Sequence, residues 1–64
     1  MIRIYTREGY PHGFYDTDSI GLDQAESILR NGGVYRINVV GGDRAGETLI
    51  PTREVIRVKV IDGE

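Results

Sequence analysis

The sequence has no cysteine and no tryptophan, and only one histidine, one phenylalanine and two prolines in 64 residues. Without cysteine there is no disulfide, no thiolate metal site and no thiol nucleophile. The lone His12 excludes a cluster of imidazole ligands. No apolar run approaches the roughly 18 residues that mark a membrane-spanning helix. Met1-Ile2-Arg3-Ile4-Tyr5 lacks the apolar core of a signal peptide, so a cytoplasmic protein without membrane contact is expected. The net charge of -2 is not the basic balance of proteins held on nucleic acid chiefly through phosphates.

What remains is enough for one small domain over residues 1–64, with 39% hydrophobic and 28% charged residues. A chain of about 60 residues buries only about 60% of its unfolded surface, so its stability is marginal. With no disulfide or metal to add stability, self-association as a homodimer or larger homo-oligomer is expected. Seven of the eight basic residues are arginine. Arginine offers bidentate contact to carboxylates and phosphates and stacks on rings.

Strand signals open the chain. Ile2, Ile4 and Thr6 alternate with Arg3, Tyr5 and Arg7. Arg7 to Gly13 contains two glycines and Pro11 and reads as a loop. Phe14-Tyr15-Asp16-Thr17 then forms a second strand, hairpin-paired with the first. Leu22, Ala25, Ile28 and Leu29 share one face of a short helix. Asp23 followed by Glu26 has capping-box spacing, and Asn31-Gly32-Gly33 stops the helix. Strands are expected over residues 34–40, 48–50 and 54–61, with Pro51 confining its strand to an edge or an end. The order β-β-α-β-β-β predicts an α+β domain, one short helix packed on a mainly antiparallel sheet.

Alternation assigns the two sheet faces. Ile4, Ile37, Val39, Ile56, Val58 and Val60 are expected beneath the helix. Arg3, Tyr5, Arg36, Asn38, Arg57 and Lys59 are expected on the other face, with Val34, Val40, Val55 and Ile61 at its margins.

Two stretches imitate known sites. Gly41 to Thr48, GGDRAGET, matches the Walker A pattern at Gly41, Gly46 and Thr48. Glu47 stands where lysine is required, and the residues that follow do not start the helix whose N-terminus would hold phosphate. A hairpin loop is expected instead. In DTDSIG, Asp16, Asp18 and Gly21 match positions of a calcium loop. Ile20 has no side-chain oxygen and Ser27 stands where a bidentate glutamate is required, so the two carboxylates read as turn and helix-start residues.

No acid–base pair, nucleophile elbow or metal set is visible, so neither catalysis nor a cofactor is expected. Tyrosine and arginine are frequent hot spots of protein interfaces. The expectation is a non-enzymatic protein that binds a protein partner, as an accessory or inhibitory factor of the size found in phages and mobile elements. Its contacts would be Arg3, Tyr5, Arg7, Tyr10, Tyr15, Asp43 and Arg44. The alternative is a nucleotide- or oligonucleotide-binding module using the face of Arg3, Tyr5, Arg36, Asn38, Arg57 and Lys59 to hold an anionic ligand.

Overall fold

A computed structural model describes residues 1–8, 10, 12–41 and 45–61. Strands β1 (Ile2–Thr6) and β2 (Phe14–Thr17) precede the helix α1 (Leu22–Asn31). Strands β3 (Val34–Val39) and β4 (Gly46–Pro51) follow, then a 3-10 turn over Thr52–Glu54 and β5 (Val55–Val60). The sheet is antiparallel throughout, in the order β4-β3-β2-β1-β5. One helix on a five-stranded antiparallel sheet is the α+β domain expected from the sequence. Among the described residues no helix is long and apolar enough to cross a membrane.

Connectivity curls the sheet. β4 and β5 are its two edges, yet only Thr52–Glu54 separates them in sequence. Edges four strand spacings apart would lie about 19 Å from each other in a flat sheet. The link from Pro51 to Val55 reaches about 14 Å when fully extended, and its 3-10 turn makes it shorter. The edges are therefore brought together at that end. Arg7 N–H donates to the Glu54 carbonyl at 2.8 Å, and Thr52 N–H donates to the Gly33 carbonyl at 2.9 Å. These bonds fix the turn between the end of β1 and the start of β3.

The core fills the inside of this curl: Ile2 and Ile4 from β1, Tyr35, Ile37 and Val39 from β3, Ile50 from β4 and Ala25 from α1. The helix presents its smallest apolar residue, Ala25, at the point of closest approach, flanked by half-buried Leu22 and Ile28. Leu29, expected on the same face, is 39% exposed. Gly32 takes φ +82° and ends the helix, its N–H donating to the Ile28 carbonyl at 2.9 Å. This is the left-handed stop that glycine permits. The expected capping box does not form. Gly21 is the N-cap and supplies no side chain, and Asp23 lies within the first turn.

The sheet joins its halves at one place. β1 pairs with β2 and β5, and β3 pairs with β4 along its whole length. β2 meets β3 only through Thr17 opposite Val39. Where β2 ends, side chains replace the ladder. The buried Thr17 hydroxyl donates to the Asn38 carbonyl at 2.8 Å, and Asn38 N–H donates to Ser19 Oγ at 3.1 Å.

Three side chains of β5 depart from the expected burial. The register between β1 and β5 shifts at Tyr5/Thr6, which leaves Ile56 as the extra residue of a bulge. Ile56 is 47% exposed rather than covered by the helix. Val60 lies opposite the buried Ile2 but on the sheet margin, and is 54% exposed. Val55, expected at the outer margin, packs against the core instead.

Candidate functional site

The β1–β2–β5 half builds one continuous outer surface. Ile2, Ile4 and Thr6 point into the core, so alternation sends Arg3 and Tyr5 outward. Pairing then sets two rows across the strands. Phe14, Tyr5 and Arg57 form one row, and Asp16, Arg3 and Lys59 the next.

The first row carries an aromatic cluster. The Tyr5 ring lies 5.8 Å from Phe14 at 62° and 5.6 Å from Tyr10 at 69°, both edge to face. This geometry places a ring edge against a ring face, which the aromatic quadrupole favours. Tyr10 is the outermost member, 45% exposed.

Arg3 is held in the second row by three contacts. Its Nε and Nη2 donate to the two Asp16 carboxylate oxygens at 2.8 Å and 3.1 Å. Its guanidinium carbon sits 4.1 Å from the centre of the Phe14 ring. Donating its hydrogen bonds to Asp16 raises the Arg3 pKa above its already high value, with a smaller opposing effect of burial, so Arg3 is always charged. Asp16 offsets that charge where it stands. By contrast, neither Arg57 nor Lys59 has an ion-pair or hydrogen-bond partner among the described residues.

Of the residues expected at a protein partner, the structure brings Arg3, Tyr5 and Tyr10 together. Arg7 serves the fold: its Nε donates to the Arg53 carbonyl at 3.0 Å, tying the loop after β1 to the 3-10 turn. Tyr15 faces the other way, because it pairs with Ile4 on the core side of the sheet. There it lines a recess with Leu49, Pro51, Glu8 and Glu54. Asp43 and Arg44 lie outside the described residues.

The face expected for an anionic ligand is divided. Arg3, Tyr5, Arg57 and Lys59 share the β1–β5 surface. Arg36 and Asn38 sit on the β3–β4 half, beyond the narrow Thr17–Val39 junction. Arg36 Nε donates to Glu47 at 2.9 Å, and both line an open hollow with Ser19 and Asn38. A carboxylate in that hollow cancels the charge an anion would seek.

The two lookalike stretches resolve in physical terms. From Gly46 the GGDRAGET stretch runs on as β4, not as a helix, so no helix N-terminus follows it to hold phosphate. Asp16 is engaged by Arg3, and Asp18 lies 3.4 Å from the N-terminal ammonium. His12 is an exposed turn residue. Two members of the surface were missed at the sequence level. The sequence reading names Phe14 only as a strand residue and Asp16 as a turn carboxylate. Both follow from the β1–β2 register, which places Phe14 opposite Tyr5 and Asp16 opposite Arg3.

No protein-family model, curated protein or solved structure matches the chain.

Proposed function

We propose that this chain is a non-enzymatic binding module that engages a protein partner through the outer surface of β1 and β2. The observation that carries this reading is the cluster of Tyr5, Tyr10 and Phe14 with Arg3 clamped on its flank. Its rings are held against each other and its guanidinium is held by Asp16. Little side-chain freedom is left to lose on binding, which is the condition under which tyrosine and arginine become hot spots. The same packing argues against stacking of nucleic-acid bases. The ring faces meet ring edges, and the face of Phe14 carries the guanidinium of Arg3. Base stacking needs an open face.

Affinity capture from a cell lysate, followed by mass spectrometry, tests the surface with wild type and Tyr10→Ala as baits. Tyr10 is exposed, so its replacement leaves the fold intact. Proteins retained by wild type are expected to fall at least tenfold with Tyr10→Ala. Equal recovery by both baits would overturn the reading.

The proposal includes self-association. Val34 and Leu49 are 50% and 64% exposed on the β3–β4 half, away from the aromatic cluster. Burying such side chains against a second copy removes them from water. Light scattering at micromolar concentration is expected to give a dimer that Leu49→Lys dissociates. A wild-type monomer would exclude it.

A further inference from the structure

β5 is a sheet edge, and its open side has a distinct chemistry. Ile61 N–H donates to the Met1 carbonyl at 3.0 Å. In an antiparallel ladder the bonded pairs alternate, so Lys59 and Arg57 also turn their main-chain groups toward β1. Val58 and Val60 turn theirs outward, toward an edge that no strand covers among the described residues. On the outer face of this edge stand Arg57 and Lys59, without partners among the described residues. Val60, opposite the buried Ile2, stands on the inner face at the end of the strand and is half exposed. An open edge is ordinarily protected or occupied. β4, at the other edge, ends in Pro51, which has no N–H to offer. β5 contains no proline.

We infer that β5 accepts an extended acidic segment of a partner protein as a sixth strand, with carboxylates at alternate positions opposite Arg57 and Lys59. This rests on the reading of the chain as a protein-binding module and names the chemistry of its partner. Main-chain bonds to Val58 and Val60 supply affinity, and the two faces supply selectivity, as in strand addition generally. On the outer face, cross-strand carboxylates come within reach of the two cations. On the inner face, the intervening apolar residues cover Val60. A second copy of β5 does not fit. Any antiparallel self-pairing that keeps outer residues on the outer face sets Arg57 or Lys59 against a cation of the same kind or against each other, or leaves them unpaired. Like charges directly opposite are destabilising. The edge therefore rejects itself and selects a segment of opposite charge.

The test uses a fluorescein-labelled eight-residue peptide alternating Glu and Val, read by anisotropy at low salt. Its isomer, four Glu followed by four Val, has the same composition but cannot place acid and aliphatic on opposite faces. The alternating peptide is expected to bind at least tenfold tighter than the isomer. Arg57→Ala/Lys59→Ala should weaken it at least tenfold. Arg57→Glu/Lys59→Glu should reverse the preference toward a peptide alternating Lys and Val. Hydrogen exchange at the Val58 and Val60 amides should slow on binding. Equal binding of the two isomers, unchanged exchange at those amides, or no peptide binding below millimolar concentration would overturn the inference, and the two cations would then serve only to keep the edge apart from other strands. Tighter binding of a single-stranded deoxythymidine 12-mer than of the alternating peptide would overturn it too. The capture experiment at Tyr10 reads a different surface. If Tyr10→Ala abolishes capture while the peptide does not bind, only the β5 inference falls. If the peptide binds while capture is indifferent to Tyr10, only the aromatic surface falls.

Discussion

The Tyr35 hydroxyl donates to the Ala25 main-chain carbonyl at 2.7 Å, joining the start of β3 to the first turn of the helix. Tyr35 is fully buried, the largest such side chain in the core. Ala25, opposite it, is equally buried and lets the helix backbone come close enough for the bond. A buried hydroxyl without a partner costs about 1–3 kcal/mol, so this contact decides whether tyrosine can occupy the site.

The same burial makes stability depend on alkaline pH. Burial raises the Tyr35 pKa above the usual tyrosine value. In the unfolded chain the hydroxyl loses its proton near pH 10, while the folded chain keeps it. The unfolded state then binds fewer protons than the native state, so stability is intact below about pH 10 and falls above it. The slope is at most about 1.4 kcal/mol per pH unit. Urea midpoints measured from pH 9 to 11 should fall more steeply for wild type than for Tyr35→Phe, which costs about 1 kcal/mol at neutral pH. Parallel lines for the two proteins would show that Tyr35 is not the group responsible.

Arg3 is bound in a way lysine cannot copy. Its two nitrogens meet the two oxygens of Asp16 while its plane covers Phe14. The pair is mostly shielded, at 28% and 20% side-chain exposure. Arg3→Lys keeps the charge but loses the fork and the stacking, and is expected to cost about 1 kcal/mol. A double-mutant cycle with Arg3→Ala and Asp16→Ala should return a coupling of about 0.5–1 kcal/mol in chemical denaturation. A coupling indistinguishable from zero would make the clamp ornamental.

Thr17 is the hinge between the two halves of the sheet. Its hydroxyl donates to the Asn38 carbonyl and accepts from Ser19 N–H at 3.1 Å. Thr17→Val preserves shape and removes these bonds together with the 2.9 Å contact between the Thr17 and Ser19 hydroxyls. The expected cost is about 1 kcal/mol, because Thr17 is buried while its partners Asn38 and Ser19 are exposed and can turn to water. Exchange at the Val40 amide, which donates to the Asp16 carbonyl beside this junction, should accelerate more than exchange in β1. Uniform acceleration would mean that the junction opens only with the whole domain.

The two glycines bounding the helix should respond with opposite signs. Gly21, at φ -94° and ψ 176°, has the extended conformation of any N-cap and open space around it. Gly21→Ser supplies the missing cap and should add a few tenths of a kcal/mol. Gly32, at φ +82°, also has open space, but a side chain there strains the backbone. Gly32→Ala should cost about 1 kcal/mol. Thermal melts compare the pair directly, and equal shifts would contradict the cap assignment.

Much of this architecture was legible in the chain. Period-two alternation in Ile2–Thr6 and Val34–Val39 predicted strands whose buried and outward residues are those observed. Gly32 and Gly33 marked the end of the helix because only positive φ serves there. The helix start was misread, since Asp23 has cap spacing while the backbone places Gly21 at the cap. Of the surface, Arg3, Tyr5 and Tyr10 were anticipated. Tyr15, expected among the partner contacts, lies on the core side of β2 opposite Ile4, which grouping tyrosines by proximity in sequence does not reveal.

By itself, the sequence determined the element order, the one-helix α+β class and the outward face of β1, because these depend on local periodicity and on glycine and proline. Only the tertiary structure decided the strand order, the curl imposed by the short Thr52–Glu54 link, and the bulge that turns Ile56 out to solvent. Those features depend on which strands meet and in what register, and pairing between distant segments leaves no periodic signal along the chain. The Arg3–Asp16–Phe14 clamp and the open, cationic edge of β5 both arise at that level.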